Sequence, residues 1–514
     1  MSEQTYNELL YDCVLGYEFQ PSELAIMSRL FGLNPPPVAT ARILDIGCGD
    51  GTHIIGVAQS LPNSHCVGID YAANAIAIGQ KTIDDIGLKN VTLHTANLCD
   101  LQVDLGQFDY ITAHGFYSWV SEEVQQALLR FCQQHLSENG LVYLSYNTLP
   151  GWHAKNMVRD MMKHHVSPSQ SLSEQAQSAR QLIQFAAQLH QEGKNYYAQF
   201  LTDINAHLSG LPDSYIVHEY LAEENHPVYF QDFMRTVSSF QLNYVTDIEF
   251  KKYQHLQLKQ FLEEQLQVRD ALAQEQYVDF LFKREFRSSI LCRQGITVAR
   301  EPQLAVLENV YYAAELGYQV NPNQADTLTF NTAKGQRFDS NDSLLNAALS
   351  LLAEHYPRRL SFAELLQQAC QRLNVFLDYA TFSQQLLPHL WQLYLIDAIS
   401  LYTEAQSPAD VLSEYPVASP LARWQARQGK AVANLLCKTG ELDPLALSLL
   451  AQLDGSKTKT DLIEGLVQQW QRGELNIGDP NAPQKITEEQ ARATLAPFVE
   501  QMLVGFLRNA LLIA

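Results

Sequence analysis

The chain has 514 residues, 46% of them hydrophobic and 18% charged, a composition that suits about three folded domains and excludes a disordered or fibrous chain. Thirty-five basic residues against 56 acidic ones leave a net charge of −21, and a surface of that sign repels phosphate backbones and excludes a general nucleic-acid binder. The imbalance is steepest in residues 1–150, where 16 acids face 5 bases, so the first part of the chain favours cationic partners.

Residues 1–40 read as a helical or irregular lead-in that ends at the rigid joint Pro35-Pro36-Pro37. Short apolar runs then predict strands at Arg42–Ile46, His65–Asp70, Val91–Ala96, Phe108–Ala113 and Gly140–Tyr146. Helical patterns at Thr52–Leu61, Ala72–Gly87 and Glu122–Leu136 separate them. This alternation predicts an α/β domain, a parallel sheet with helices on both faces. A helix is expected over Gly151–His165, a Ser/Gln-rich loop over Ser167–Ser178, and helix again over Ala179–His207. After this helical middle insert, a helix at Phe230–Phe240 and strands at Leu242–Ile248 and Phe286–Arg293 return to the sheet.

Residues 294–340 are mixed, with a turn at Asn321-Pro322-Asn323. Ser350-Leu351-Leu352-Ala353 then recurs as Ser448-Leu449-Leu450-Ala451. Each copy precedes a loop, two helices and an apolar strand-like stretch, Tyr394–Tyr402 in one and Phe506–Ile513 in the other. Two mainly helical, winged-helix-like modules of ~100 residues fit this repeat. The expected division is 1–165 with 226–300 for the α/β domain, 166–225 for the insert, 301–410 for the first module and 411–514 for the second.

The chemistry centres on Leu44-Asp45-Ile46-Gly47-Cys48-Gly49-Asp50-Gly51-Thr52, which follows a strand and opens a helix. Glycines there let the backbone turn tightly and approach a ligand. The spacing is G-x-G-x-G over Gly47, Gly49 and Gly51, with Asp45 just ahead of it. A carboxylate beside a pyrophosphate is unfavourable, whereas beside the ammonium of a methionine moiety it is favourable. The loop therefore reads as an S-adenosylmethionine site. Asp70, at the end of the second strand, is placed to accept both ribose hydroxyls; its structural alternative is a helix N-cap. Asn97 and Leu98 follow the third strand, where an adenine needs a polar group at its edge and an apolar cover on its face. This order of residues signals a class I methyltransferase with a Rossmann-like sheet.

The acceptor side is expected at the ends of strands four and five, because ligands of doubly wound sheets sit outside the carboxyl ends of the strands. Strand four runs into His114-Gly115-Phe116-Tyr117-Ser118-Trp119 and strand five into Tyr146-Asn147. In an extended segment Tyr117 and Trp119 would face one side and wall one channel. Tyr146 and Asn147 are suited to hold an amine, and His114 or Asn147 to orient its lone pair. Core packing of the aromatics is the competing reading.

The stretches LFGLNPPP, LDIGCGDG, FDYITAHGFYSWV, SYNTLPGWH, NHPVYFQDF, FRSSILCR, SPLARWQARQG and LLAQLDG together resemble the bacterial protein lysine methyltransferases that carry a methyltransferase regulatory domain. The resemblance runs from about Tyr6 to the C-terminal modules. It implies S-adenosylmethionine as cofactor, lysine side chains of a protein as acceptor, with outer-membrane proteins as the characterised class, and winged-helix-like C-terminal domains. Phe19-Gln20-Pro21 stands where the family often has Thr-His-Pro, and Asp45 where it often has Glu.

A small-molecule O- or N-methyltransferase is the second reading, and a non-catalytic regulator with protein-contact modules the third. Neither module is basic, with five acids against three bases in 341–400 and ten against six in 441–514. Protein contact or a homodimer is therefore expected of them, not DNA. None of the eight cysteines forms a C-x-x-C pair, so neither a zinc nor a redox motif is expected. The N-terminus lacks a basic start with an apolar run, and no stretch reaches ~18 apolar residues, so a cytoplasmic protein off the membrane is expected.

Overall fold

The computed structural model describes residues 15–101, 105–254, 258–405, 408–477 and 486–513. The first part of the expected lead-in, residues 1–14, lies outside the described residues. From Pro21 to Leu30 the lead-in forms helix α1, with the proline in its first turn and almost every side chain buried.

The sheet then builds as its apolar runs dictate. Strands β1 (Arg42–Ile46), β2 (His65–Asp70), β3 (Val91–Thr95), β4 (Phe108–Ala113) and β5 (Leu136–Asn147) alternate with α2 (Thr52–Ser60), α3 (Ala73–Ile86) and α4 (Glu122–His135). Two further strands, β6 (Leu242–Asp247) and β7 (Phe286–Arg293), complete a seven-stranded sheet of order β3-β2-β1-β4-β5-β7-β6. All neighbours are parallel except that β7 runs antiparallel to β5 and β6. The central strands are buried on both faces, hence their unbroken apolar character. The order reverses between β1 and β4, the point at which such sheets open a crevice for ligands.

Strand β5 starts four residues before the expected Gly140. Helix α4 ends at His135 and runs directly into the strand, and an irregularity between Phe108 and Tyr110 absorbs the extra residues.

Between β5 and β6 lie α5 (Trp152–His165), α6 (Leu172–Leu189), α7 (Tyr196–Ser209) and α8 (Phe230–Ser239). The loop expected over Ser167–Ser178 is only half a loop. Ser171 and Glu174 form a capping box, in which each side chain bonds the other's backbone N–H, and helix begins at Leu172. The run expected to stay helical to His207 breaks after Leu189 and restarts behind Asn195, whose side chain caps Ala198 N. Helix α9 (Ala271–Phe282) precedes β7 and packs on α8.

The C-terminal part holds two helical units. In the first, β8 (Tyr311–Ala313) leads through the antiparallel hairpins of β9 (Leu316–Val320), β10 (Leu328–Thr332) and β11 (Arg337–Ser340) to α10 (Ser343–His355). Next come β12 (Leu360–Ser361), α11 (Phe362–Leu373), α12 (Tyr379–Leu395) and β13 (Ser400–Tyr402), with β12 and β13 flanking β8 as the wing. Tyr394 and Leu395 belong to the helix, so the strand expected over Tyr394–Tyr402 is its last three residues. The second unit has α13 (Pro420–Arg427), the short pair β14 (Val432–Ala433) and β15 (Thr439–Gly440), then α14 (Pro444–Leu450), α15 (Lys459–Gln471) and α16 (Glu488–Arg508). The stretch Phe506–Ile513 ends a helix instead of forming a strand; a single bridge ties Leu512 to Ala418.

Both units pack on helices that flank the sheet. Tyr394 Oη donates to buried Glu23 of α1 at 2.9 Å, and Lys251 reaches the same carboxylate at 3.1 Å. Ser22 Oγ donates to Glu404, which also pairs with Arg359 at 2.6 Å. From the second unit, Trp424 Nε1 donates to Asp85 of α3 at 3.0 Å, and Leu421 N to Gln59 of α2 at 2.8 Å. Among the described residues no helix is long and apolar enough to cross a membrane.

Candidate active site

The loop after β1 takes the shape its glycines permit. Gly47, Gly49 and Gly51 all hold positive φ, at 72°, 56° and 75°, a region costly for residues with a Cβ. Gly47 is needed twice over, since a Cβ there would stand 2.5 Å from Phe116 Cδ2. Gly47 N and Cys48 N both donate to Ile69 O at 2.9 and 3.2 Å, which fastens the loop to the end of β2.

Asp45 and Asp70 frame this loop. Asp45 is buried in β1 and accepts a hydrogen bond from Thr112 Oγ1 of β4 at 2.8 Å. Burial pushes its carboxyl up to about 7, the Thr112 bond pulls it back, and the nearby Asp70 adds to the rise. Asp70 accepts from Gly49 N at 2.8 Å through Oδ2 and from Ala72 N at 2.7 Å through Oδ1. Burial raises its pKa against these backbone bonds. Ala72, not Asp70, occupies the N-cap position of α3, so the side chain acts as a clasp between two strand-end loops. Tyr71 N bonds this carboxylate as well, which leaves it one further acceptor position. Asn97 is exposed and accepts from Cys99 N at 3.0 Å, closing the short turn Leu98–Asp100; its amide nitrogen stays available, and half-buried Leu98 packs into the core beside it.

These residues fit S-adenosylmethionine. Three left-handed glycines bend the loop, and a carboxylate stands on each of two adjacent strands, one suited to an ammonium and the other to a diol.

The aromatic run behind β4 departs from the expected geometry. Tyr117–Trp119 is a turn of 3₁₀ helix, closed by Trp119 N donating to Phe116 O at 3.0 Å, and Ser118 Oγ accepts from Asn147 N at 2.8 Å. In a turn, residues two apart do not share a side. Tyr117 goes inward, edge-on to Phe233 at 4.9 Å, with Tyr146 6.2 Å away. Trp119 goes to Trp152 at 5.9 Å, with the Arg159 guanidinium over its face. The two do not wall one channel.

Tyr146 and Asn147, being consecutive in β5, point to opposite faces. Tyr146 is buried against Phe233 with its hydroxyl 2.8 Å from Ser289 Oγ. Burial raises its pKa, so the phenol stays neutral. Asn147 donates through Nδ2 to Asn225 Oδ1 at 2.8 Å, and Asn225 in turn to Asn156 Oδ1 at 3.3 Å. The segment Asn225–Val228 is stitched across the ends of β4 and β5, with His226 N donating to Ser118 O and Val228 N to Asn147 O.

His114 sits on the other face of the sheet end. Its ring stacks on Phe19 at 4.3 Å, and Nδ1 lies 2.9 Å from Tyr143 Oη, which donates to Ser288 Oγ at 3.0 Å. Burial lowers the His114 pKa to about 4, so the imidazole is neutral. Phe19 thus fills the approach to His114 directly before the family's histidine position, which Gln20 holds here.

Sequence reasoning gave no role to Thr112, Phe19 or Asn225, nor to the buried ion cluster behind β7. Asn225 lay inside the quoted NHPVYFQDF, so a signal was available; Thr112 gave none, since its value lies in pairing with Asp45 across strands. In the cluster, Arg287 bonds Asp279 at 2.9 Å and Glu275 at 3.0 Å, and Arg284 bonds Asp247 at 2.8 Å. Burial opposes ionisation of Asp247, yet the two arginines hold its pKa below the ordinary value. The Arg284 carbonyl lies so close to Gly151 that any side chain there would collide with it, which accounts for the glycine of the Leu149-Pro150-Gly151-Trp152 corner.

Three family models match the chain: a methyltransferase domain over residues 43–140, a "Predicted methyltransferase regulatory domain" over 212–293, and "PKMT, C-terminal winged helix domain" over 414–511. Two proteins of Rickettsia prowazekii (strain Madrid E) are similar. RP789 is 29% identical over 99% of this chain and 93% of its own length, and RP028 is 40% identical over 45% of this chain and 92% of its own length. The solved structure of PKMT2 from Rickettsia typhi superposes with a TM-score of 0.87 at 29% identity, covering 98% of this chain and 100% of that one. The same protein in complex with AdoHcy gives 0.84 at 28%, with the same coverage. The chain belongs to the family of methyltransferases that join a class I methyltransferase domain to a methyltransferase regulatory domain and a PKMT-type C-terminal winged helix domain.

Proposed function

We propose that the chain is an S-adenosylmethionine-dependent N-methyltransferase whose acceptor is the side-chain amine of lysines on a protein. The observation that carries the cofactor half is the pair of carboxylates, Asp45 and Asp70, clasping a loop of three left-handed glycines at the reversal point of the sheet. The complex of PKMT2 from Rickettsia typhi with AdoHcy, at 28% identity over nearly the whole chain, supports it.

The cofactor supplies a methyl group on a sulfonium, and the chain has to present a neutral amine in line with it. Free lysine titrates near 10.4, so the amine must be stripped of its proton. The neutral phenol of Tyr117 and the amides of Asn225 and its partner Asn147 provide a site where charge is poorly solvated, which lowers an amine's pKa. Asn147 Oδ1, with no partner among the described residues, is suited to accept an N–H and aim the lone pair. Orientation of this kind supplies up to about 7–11 kcal/mol of a barrier. The seven described cysteines are all free, which suits a reducing cytoplasm. The family resemblance points to an outer-membrane protein as acceptor.

Gly49→Val tests the cofactor half. It places a branched side chain at a left-handed position inside the loop, and calorimetry on the folded protein should show S-adenosylmethionine binding abolished, at some cost in melting temperature. Unchanged affinity would remove the loop from the cofactor site.

A further inference from the structure

A cavity of about 530 Å³ opens beside the strand-four turn, between the first turns of α4, the start of α5 and the segment Asn225–Val228. Its size lies within the range of ligand pockets. It adjoins the cofactor loop through two consecutive residues, since Phe116 lies against Gly47 and Tyr117 lines the cavity. Three features describe what it would hold.

First, Tyr117 is only 3% exposed and lines the cavity with its aromatic ring and phenol. A phenol on a cavity wall can accept a hydrogen bond from a ligand that enters. Second, one carboxylate, that of Glu122, stands among the lining residues, while no lysine or arginine does. Glu122 sits near enough to Tyr117 to raise the phenol's pKa, after burial, to about 12, so the phenol keeps its proton and offers its oxygen as an acceptor. Third, the remaining polar lining is amide, imidazole and the Thr236 hydroxyl; amides such as those of Asn156 and Asn225 and a hydroxyl can accept hydrogen bonds without adding positive charge. The cavity therefore has acceptors, an aromatic wall and a single negative charge, the complement of a cation with N–H donors.

We propose that this cavity is a binding site for a primary alkylammonium group, held by the Tyr117 phenol oxygen within and the Glu122 carboxylate at its mouth. It names the place where the proposed lysine acceptor enters, and rests on that reading only for the identity of the natural ligand.

The test uses the full-length protein with S-adenosylhomocysteine and n-butylammonium, which reproduces the lysine side chain, against pentanoate and n-butanol of similar length. Crystals should show the amine nitrogen within hydrogen-bond reach of Tyr117 Oη. Affinity in solution should fall about tenfold in both Tyr117→Phe and Glu122→Gln, with S-adenosylhomocysteine affinity unchanged. Both variants keep the core, because phenylalanine retains the ring and Glu122 is exposed. Equal binding of pentanoate, amine density elsewhere, density without binding in solution, or unchanged affinity in both variants would each overturn the proposal. If butylammonium fills the cavity while the methyl label goes to an acceptor other than lysine, the lysine reading falls and the site stands.

Discussion

Asp45 is the residue on which the cofactor chemistry turns. Its carboxyl is pushed up to about 7 because it is buried in β1, with Thr112 opposing that shift and Asp70 adding to it. An arriving ammonium stabilises the ionised form, so binding releases a proton wherever the free protein still holds one. The sign follows: affinity for S-adenosylmethionine should rise with pH below about 7 and level off above it, at up to about tenfold per pH unit. Calorimetry in buffers of different ionisation heat should detect the released proton. Asp45→Asn should bind more weakly and lose the dependence; a parent protein with flat affinity over this range would place the ammonium elsewhere. Asp70 shows a different economy, one carboxylate bonding Gly49 N and Ala72 N at once, so its loss would loosen the loop as well as the ribose contact.

At the scale of the element, strand β7 explains how the site's rim is held. It enters the sheet antiparallel and carries Arg287, wholly buried, into contact with Asp279, Glu275 and Asp247. Arg287→Leu would take from the buried Asp279 carboxylate its main partner, a change worth about 3–5 kcal/mol. The expected outcome is a marked fall in melting temperature with cofactor affinity retained in the folded fraction; a variant as stable as the parent would show the cluster to be dispensable. The sequence was most legible where one element decides its own fate. Strands β1, β2, β4 and β7 fell within their apolar runs, and the glycine loop announced its positive φ values. It was least legible where a distant partner decides. Tyr117–Trp119 had the alternating look of an extended wall, but Ser118, taken by Asn147 N, folds it into a turn. Helix α6 starts early because Ser171 and Glu174 cap each other, a signal that was present in the Ser/Gln-rich stretch and was outweighed by its polarity. Phe506–Ile513 is apolar because a helix end and a bridge are both buried there, and apolarity alone does not separate helix from strand.

For the whole molecule, hydrogen bonds and ion pairs tie the winged-helix units to the helices around the sheet. Glu23 of α1 receives Tyr394 and Lys251, and α1 follows directly after Phe19, the ring that stacks on His114. Asp85 and Gln59 receive the second unit on the helices that flank the glycine loop. The repeat seen as two Ser-Leu-Leu-Ala copies corresponds to α10 and α14, each the first helix of a three-helix set, though only the first set carries a three-stranded wing. The proposed function turns on a lysine acceptor. The most direct measurement incubates the full-length protein with methyl-labelled S-adenosylmethionine and a cell-envelope protein extract, then locates the label by residue-level mass spectrometry. The account predicts methyl groups on lysine side chains, absent with Gly49→Val, and a rate that rises with pH as the acceptor amine loses its proton. Label confined to small molecules, to nucleic acid or to residues other than lysine would contradict it.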